Sequence, residues 1–149
     1  MVALTDVQQA NVDALLAARR LERVTVDTRR ASAFLAKAAE RIGELANLTS
    51  AAVKYGVAYD AAHDIGEALL SAYGYRTTNG PGQHEAIGRY LRAVLDSPPG
   101  DRAAREFDRL RRARNQDRYQ AKPVGAADAS RAESVAVELY AAVVARGLQ

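Results

Sequence analysis

Apolar residues recur at three- and four-residue steps along almost the whole chain, and no stretch alternates convincingly. The β-branched run Val24-Thr25-Val26 is too short to carry a sheet. The pattern predicts an all-α fold. Thr5, with Gln8 three residues on, reads as a capping box opening a first helix that buries Leu4, Val7, Leu15 and Ala18 and ends near Glu22. Asp27 or Thr28 caps a second helix, in which Ala31, Phe34, Leu35, Ala38, Ile42 and Leu45 form a core-facing stripe. Thr49 or Ser50 starts a third, Ala51 to Tyr73, striped by Tyr55, Ala58, Tyr59, Ala62, Ile65, Leu69 and Tyr73. Glycine inside a helix costs about 0.5–1 kcal/mol relative to alanine, so Gly56 and Gly66 predict close approach of a neighbouring element at both positions. Gly74 closes this helix, and residues 77–82 (Thr-Thr-Asn-Gly-Pro-Gly) form a loop. A fourth helix, from about His84 to Asp96, buries Ile87, Leu91, Val94 and Leu95 and stops at Ser97-Pro98-Pro99-Gly100. Asp101 is placed to cap a fifth that runs to about Arg118, and Lys122-Pro123-Val124-Gly125 breaks the chain again. Ser130 with Glu133 is a second capping-box pattern, opening a sixth helix that buries Val135, Ala136, Leu139 and Val143 and stops at Gly147. Short connections between neighbours favour an up-and-down antiparallel bundle of five to six helices.

At 149 residues, 48% apolar and 26% charged, the chain has the size and composition of a single helical domain spanning 1–149 with its own core. It contains no cysteine, which removes disulfides, thiolate metal sites and cysteine nucleophiles and suits a reducing cytoplasm. No apolar run approaches the roughly 20 residues that span a bilayer. Met1 to Ala18 carries Asp6, Gln8, Gln9, Asn11 and Asp13 where a signal peptide would be apolar. A cytoplasmic location away from membranes is the expectation. The net charge of +3 comes mostly from arginine, with lysine only at Lys37, Lys54 and Lys122. That balance suits phosphate or acidic partners, although a GC-rich genome produces the same bias.

Charge is densest in the fifth helix, where Arg102, Arg105, Arg109, Arg111, Arg112, Arg114 and Arg118 face Asp101, Glu106, Asp108 and Asp117. Most of this reads as a solvated face laced with i,i+4 pairs. Arg114 departs from it. Phe107, Leu110 and Arg114 fall at i, i+3 and i+7, so the guanidinium lies on the core-facing stripe and needs a carboxylate or phosphate to offset its desolvation. Asn115 and Tyr119 share a neighbouring face. Together these residues read either as a phosphate-recognition cluster or as a buried ion pair with a helix cap. Asp60 and His63 have the carboxylate-x-x-His spacing of bundle metal sites, with Glu67 one turn on. A di-metal bundle needs two such motifs, so no metal and no cofactor is expected. His84, after a glycine-rich loop, is placed to cap, to hydrogen-bond a neighbour or to meet an anion at a helix N-terminus. No glycine-rich nucleotide loop, zinc-protease motif or serine nucleophile motif is present.

Several segments together resemble the HEPN family, small helical domains found beside minimal nucleotidyltransferases in prokaryotic toxin–antitoxin and defence operons. Residues 55–63 (Tyr-Gly-Val-Ala-Tyr-Asp-Ala-Ala-His), continuing to Glu67-Ala68-Leu69-Leu70 and Gly74-Tyr75, are similar to its central helix. Gln83-His84-Glu85-Ala86-Ile87 resembles the start of its next helix, and residues 110–119 (Leu-Arg-Arg-Ala-Arg-Asn-Gln-Asp-Arg-Tyr) its arginine helix. The likeness spans about 28–146. It implies a homodimer with a composite groove lined by Arg114 and Tyr119 from both chains; Arg111, Arg118 and His84 are separate candidate binding residues. It also implies a cognate toxin or antitoxin partner, such as a nucleotidyltransferase, and possible adenylylation of Tyr119.

Active members pair an arginine with a histidine a few residues on, for metal-independent cleavage of RNA. Arg114 and Asn115 match the start of that motif, and Tyr119 stands at the histidine position. A phenol with a pKa near 10 is a poor general base at pH 7. The resemblance therefore favours a non-catalytic module acting through dimerisation and partner binding. The alternative is an endoribonuclease toxin that uses Arg114 and Asn115 with an unconventional proton carrier, Tyr119 or, if a dimer brings it near Arg114, His84.

Overall fold

Thr5 caps α1 (Asp6–Ala17) in both directions in the computed structural model, which describes residues 1–149. Its hydroxyl accepts from the Gln8 N–H at 3.2 Å, and the Gln8 side chain accepts from the Thr5 N–H at 2.9 Å. The same Gln8 amide donates to the Val94 carbonyl at 3.1 Å and to the Asp96 carboxylate at 2.8 Å. That long-range tether turns the Gln8, Val12 and Leu15 face inward. Contrary to expectation, Val7 is 65% exposed and Ala18 is exposed, while Leu4 is half-buried. The helix also ends five residues before Glu22. Leu21–Arg23 instead forms β1, antiparallel to β2 (Tyr75–Thr77), with Leu21 opposite Thr77 and Arg23 opposite Tyr75. Three-residue strands are too short for alternation to announce them.

Asp27 caps α2 (Thr28–Glu44) by accepting from the Arg30 N–H at 2.8 Å. Ala31, Leu35 and Ala38 are buried, followed by Leu45 in the 3₁₀ turn Leu45–Asn47, whereas Phe34 and Ile42 lie half-buried at the margin. Ser50 caps α3 (Ala51–Tyr73), the central helix, which packs against α2, α4 (Gln83–Val94), α5 (Asp101–Gln120) and α6 (Ala126–Ala145). At Gly66 a Cβ would lie 2.5 Å from the Ile87 methyl, because α4 crosses there; the space around Gly56 is open, so only one of the two glycines serves a close contact. Gly74 ends α3 with φ of +82°.

Helix α5 begins after Gly100, whose φ is +108°, and Asp101 does not cap it: that carboxylate is taken by Arg105 at 3.0 Å. The sixth helix starts five residues earlier than the Ser130 pattern suggests, with Gly125 at the N-cap. Asp128 accepts from the Gly125 N–H at 3.2 Å, while Ser130 is exposed and Glu133 pairs with Lys54 at 3.1 Å. One contiguous core draws on all six helices, with Tyr59, Tyr90, Phe107, Ile65, Leu69 and Leu91 among its largest side chains. The architecture is an all-helical bundle with a minor two-stranded sheet. No helix is long and apolar enough to cross a membrane.

The two α3 glycines predict opposite outcomes. Gly66→Ala drives a methyl into the buried Ile87 and should destabilise by about 1–3 kcal/mol, as overpacking does. Gly56→Ala removes backbone entropy without a clash and should stabilise by about 0.5–1 kcal/mol. Urea denaturation of both variants checks the signs.

Candidate functional site

Tyr59 is the point where α3, α4 and α5 meet. Its ring is fully buried, with Phe107 of α5 packed at 5.5 Å between centroids. Its hydroxyl lies 2.6 Å from Nδ1 of His84, in the first turn of α4, and the two ring planes are nearly parallel at 5°. The Arg114 guanidinium carbon sits 4.9 Å from the Tyr59 centroid, a cation–π contact. Phe107 and Arg114 are two turns apart on one face of α5, so the stripe that buries the first delivers the second.

Above this junction opens a cleft of about 320 Å³, lined by the α4 N-terminus from Gly82 to Glu85 and by Arg111, Arg114, Asn115 and Tyr119. No side chain caps α4, so its first N–H groups and the positive end of its dipole border the cleft. Arg114 meets Asp60 at 3.7 Å, beyond hydrogen-bond distance, with its side chain 25% exposed. Its donors are therefore not saturated by protein. Arg111 is more committed, since Asp108 holds it at 2.9 Å and also takes Arg112 at 3.2 Å. Tyr119 is 78% exposed at the cleft edge, and Arg118 is exposed outside the lining.

Burial raises the Tyr59 pKa, opposed by Arg114, so the phenol stays protonated at neutral pH. Burial also lowers His84, reinforced by Arg114 and Arg111 and opposed by Asp60. His63, whose ring lies 4.4 Å from that of His84, is pushed down to about 4 by burial, with the His84 and Arg114 charges adding. Both imidazoles are therefore neutral at pH 7. With Nδ1 engaged by Tyr59, Nε2 is the remaining nitrogen of His84. If Tyr59 donates, Nε2 carries the proton; if Tyr59 accepts, Nε2 has the free lone pair. One heavy-atom geometry thus serves a hydrogen-bond donor and a proton acceptor.

The structure brings together four residues singled out by sequence, His84, Arg111, Arg114 and Asn115, and puts Tyr119 at the rim. Sequence reasoning missed Tyr59 as the organiser and His63 as the second imidazole. The i,i+4 pair Tyr55 and Tyr59 was the available signal, but a tyrosine on a core stripe reads as packing. Asp60, His63 and Glu67 do not form part of any group of three or more ligands placed to hold a metal. Comparison with protein-family models, with curated proteins and with solved structures finds no match.

Two outcomes follow from this geometry. The Asp60 side chain is 43% exposed, so Arg114→Ala strands no buried carboxylate. It should cost only about 0.5–2 kcal/mol, the worth of a cation–π contact and a half-exposed pair; a thermal melt reads this. The unfolded His63 takes a proton below about 6.5, the folded one only below about 4. Between those values the unfolded state binds more protons, so stability falls as pH falls. Burial raises Asp64 and Glu67, and these two act in the opposite direction. The comparison is therefore His63→Phe, which should flatten the loss of melting temperature between pH 6.5 and pH 4.

Proposed function

We propose that the chain is an HEPN-like module of a prokaryotic toxin–antitoxin or defence system, and that its cleft binds and cleaves RNA without a metal. The observation that carries this reading is the convergence of His84 and Arg114 on Tyr59 in one cleft of one chain. His84 stands beside the arginine motif that has Tyr119 in place of its histidine. An anion in the cleft would meet Arg114, the uncapped start of α4 and the Asn115 amide.

The chemistry these groups support is transesterification. His84 Nε2 takes the proton of a ribose 2′-hydroxyl, and that oxygen attacks the adjacent phosphorus. The bond to the 5′-oxygen breaks, and this leaving oxygen recovers a proton from His84. The products are a 2′,3′-cyclic phosphate and a 5′-hydroxyl. The lowered pKa of His84 keeps it in the basic form at neutral pH. Arg114 and the α4 N–H groups offset the charge that grows on the phosphoryl oxygens.

A second reading rests on Tyr119. Its 78% exposure leaves the phenol reachable by a partner protein, including a nucleotidyltransferase able to modify it. In that reading the chain is a non-catalytic homodimer or partner-binding module.

Purified protein incubated with RNA in excess chelator decides between them. The ribonuclease reading expects cyclic-phosphate ends, with loss of roughly 100-fold or more in rate for Arg114→Ala and for His84→Ala. Intact RNA from folded wild-type protein, together with normal growth of cells expressing it, overturns cleavage and leaves the partner-binding module.

A further inference from the structure

A second and larger cleft, about 390 Å³, lies on the other flank of α5, where its C-terminal end, the 121–125 connection and the start of α6 meet. Its walls carry Arg109, Arg112, Lys122 and Arg131 against one carboxylate, Asp128. Arg112 is held by Asp108 at 3.2 Å, and the other three are weakly committed. Lys122 makes no ion pair, Arg109 reaches Glu106 only at 3.9 Å, and Arg131 reaches Asp128 at 3.5 Å. Asp128 is itself engaged by the Gly125 N–H. Helix-dipole effects account for a lysine after α5 and an aspartate at the start of α6, but not for three arginines gathered around them.

At 100° per residue, Arg111, Asn115 and Arg118 fall on one flank of α5 and Arg109, Ala113 and Gln116 on the other. The outer ridge between the flanks carries Arg112 and Tyr119, both exposed. Tyr119 lies on the rim of the His84 cleft and Arg112 on that of the second cleft. An exposed aromatic between two cationic clefts is the arrangement that single-stranded nucleic acid uses, with bases stacked on the ring and phosphates held at either side. A helix with its side chains is about 10–12 Å across, so a single phosphate cannot engage both clefts.

We propose that the cleft of Arg109, Arg112, Lys122 and Arg131 is a second phosphate subsite, and that a single-stranded RNA runs from the His84 cleft over Tyr119 into it. The proposal rests on the RNA reading of the first cleft and adds strand length and direction of approach. It assigns Tyr119 a stacking role and makes the site one for oligonucleotides.

The test is fluorescence anisotropy with a non-cleavable 2′-deoxy dinucleotide and decamer, on wild-type protein and on the Lys122→Gln/Arg131→Gln double variant. Both substituted residues are exposed, and a thermal melt verifies folding. Wild-type protein should bind the decamer more tightly than the dinucleotide. The double variant should lose most of that difference, with dinucleotide binding unchanged. Its salt slope for the decamer should fall by about 1.4, two single-strand phosphate contacts at roughly 0.7 each. Tyr119→Ala should weaken the decamer roughly tenfold. Equal decamer binding and an equal salt slope in wild type and double variant overturn the second subsite while leaving the His84 cleft standing. Failure of wild-type protein to bind either oligonucleotide overturns both.

Discussion

The structure depends on one residue with three simultaneous contacts. Tyr59 is buried at the centre of α3, packs on Phe107, hydrogen-bonds His84 and carries the Arg114 guanidinium on its ring. A buried phenol needs a partner for its hydroxyl, and His84 supplies one. A half-buried guanidinium needs an electron-rich face or an anion, and the ring supplies the former. Packing and polar satisfaction thus place an imidazole and an arginine in one cleft, so the geometry of the site follows from constraints of the core.

The electrostatics separate what the bundle uses for itself from what it leaves open. Arg41 and Asp64 form an ion pair between α2 and α3, and Arg23, Arg76 and Arg105 are each matched to a carboxylate at 3.2 Å or less. Near the end of α5 the matching thins: Arg114 has its carboxylate at 3.7 Å, and Lys122 has none within ion-pair reach. Exposed pairs contribute little to folding, so these loosely matched cations are inexpensive for the fold to leave open and suited to an anion. Neutral imidazoles at the same junction complete a site that is cationic without adding their own charge at pH 7.

The bundle was legible because helices announce themselves by periodicity. The stripes of α2 to α6 name most of the core, and Thr5, Asp27, Ser50 and Gly74 mark helix ends as their chemistry dictates. What periodicity could not carry was long-range. The turn of α1 that exposes Val7 is set by Gln8 reaching Val94 and Asp96, more than eighty residues away in sequence. The sheet is two three-residue strands, and the open space at Gly56 is a property of neighbours that a sequence does not list. At the site, Arg114 stood out because a charge on an apolar stripe is costly. Tyr59 did not, because a tyrosine there is ordinary. The pairing of His84 with Arg114 required knowing that the start of α4 lies over the middle of α3.

The central claim is that His84 and Arg114 act on one bound phosphodiester. Nitrogen-15 NMR of the His84 imidazole and the Arg114 Nε–H, during titration with a non-cleavable 2′-deoxy dinucleotide in chelator, tests this directly. The account predicts that both signals shift together and saturate with a single dissociation constant. Two different constants, or a ligand that moves neither signal, would contradict it.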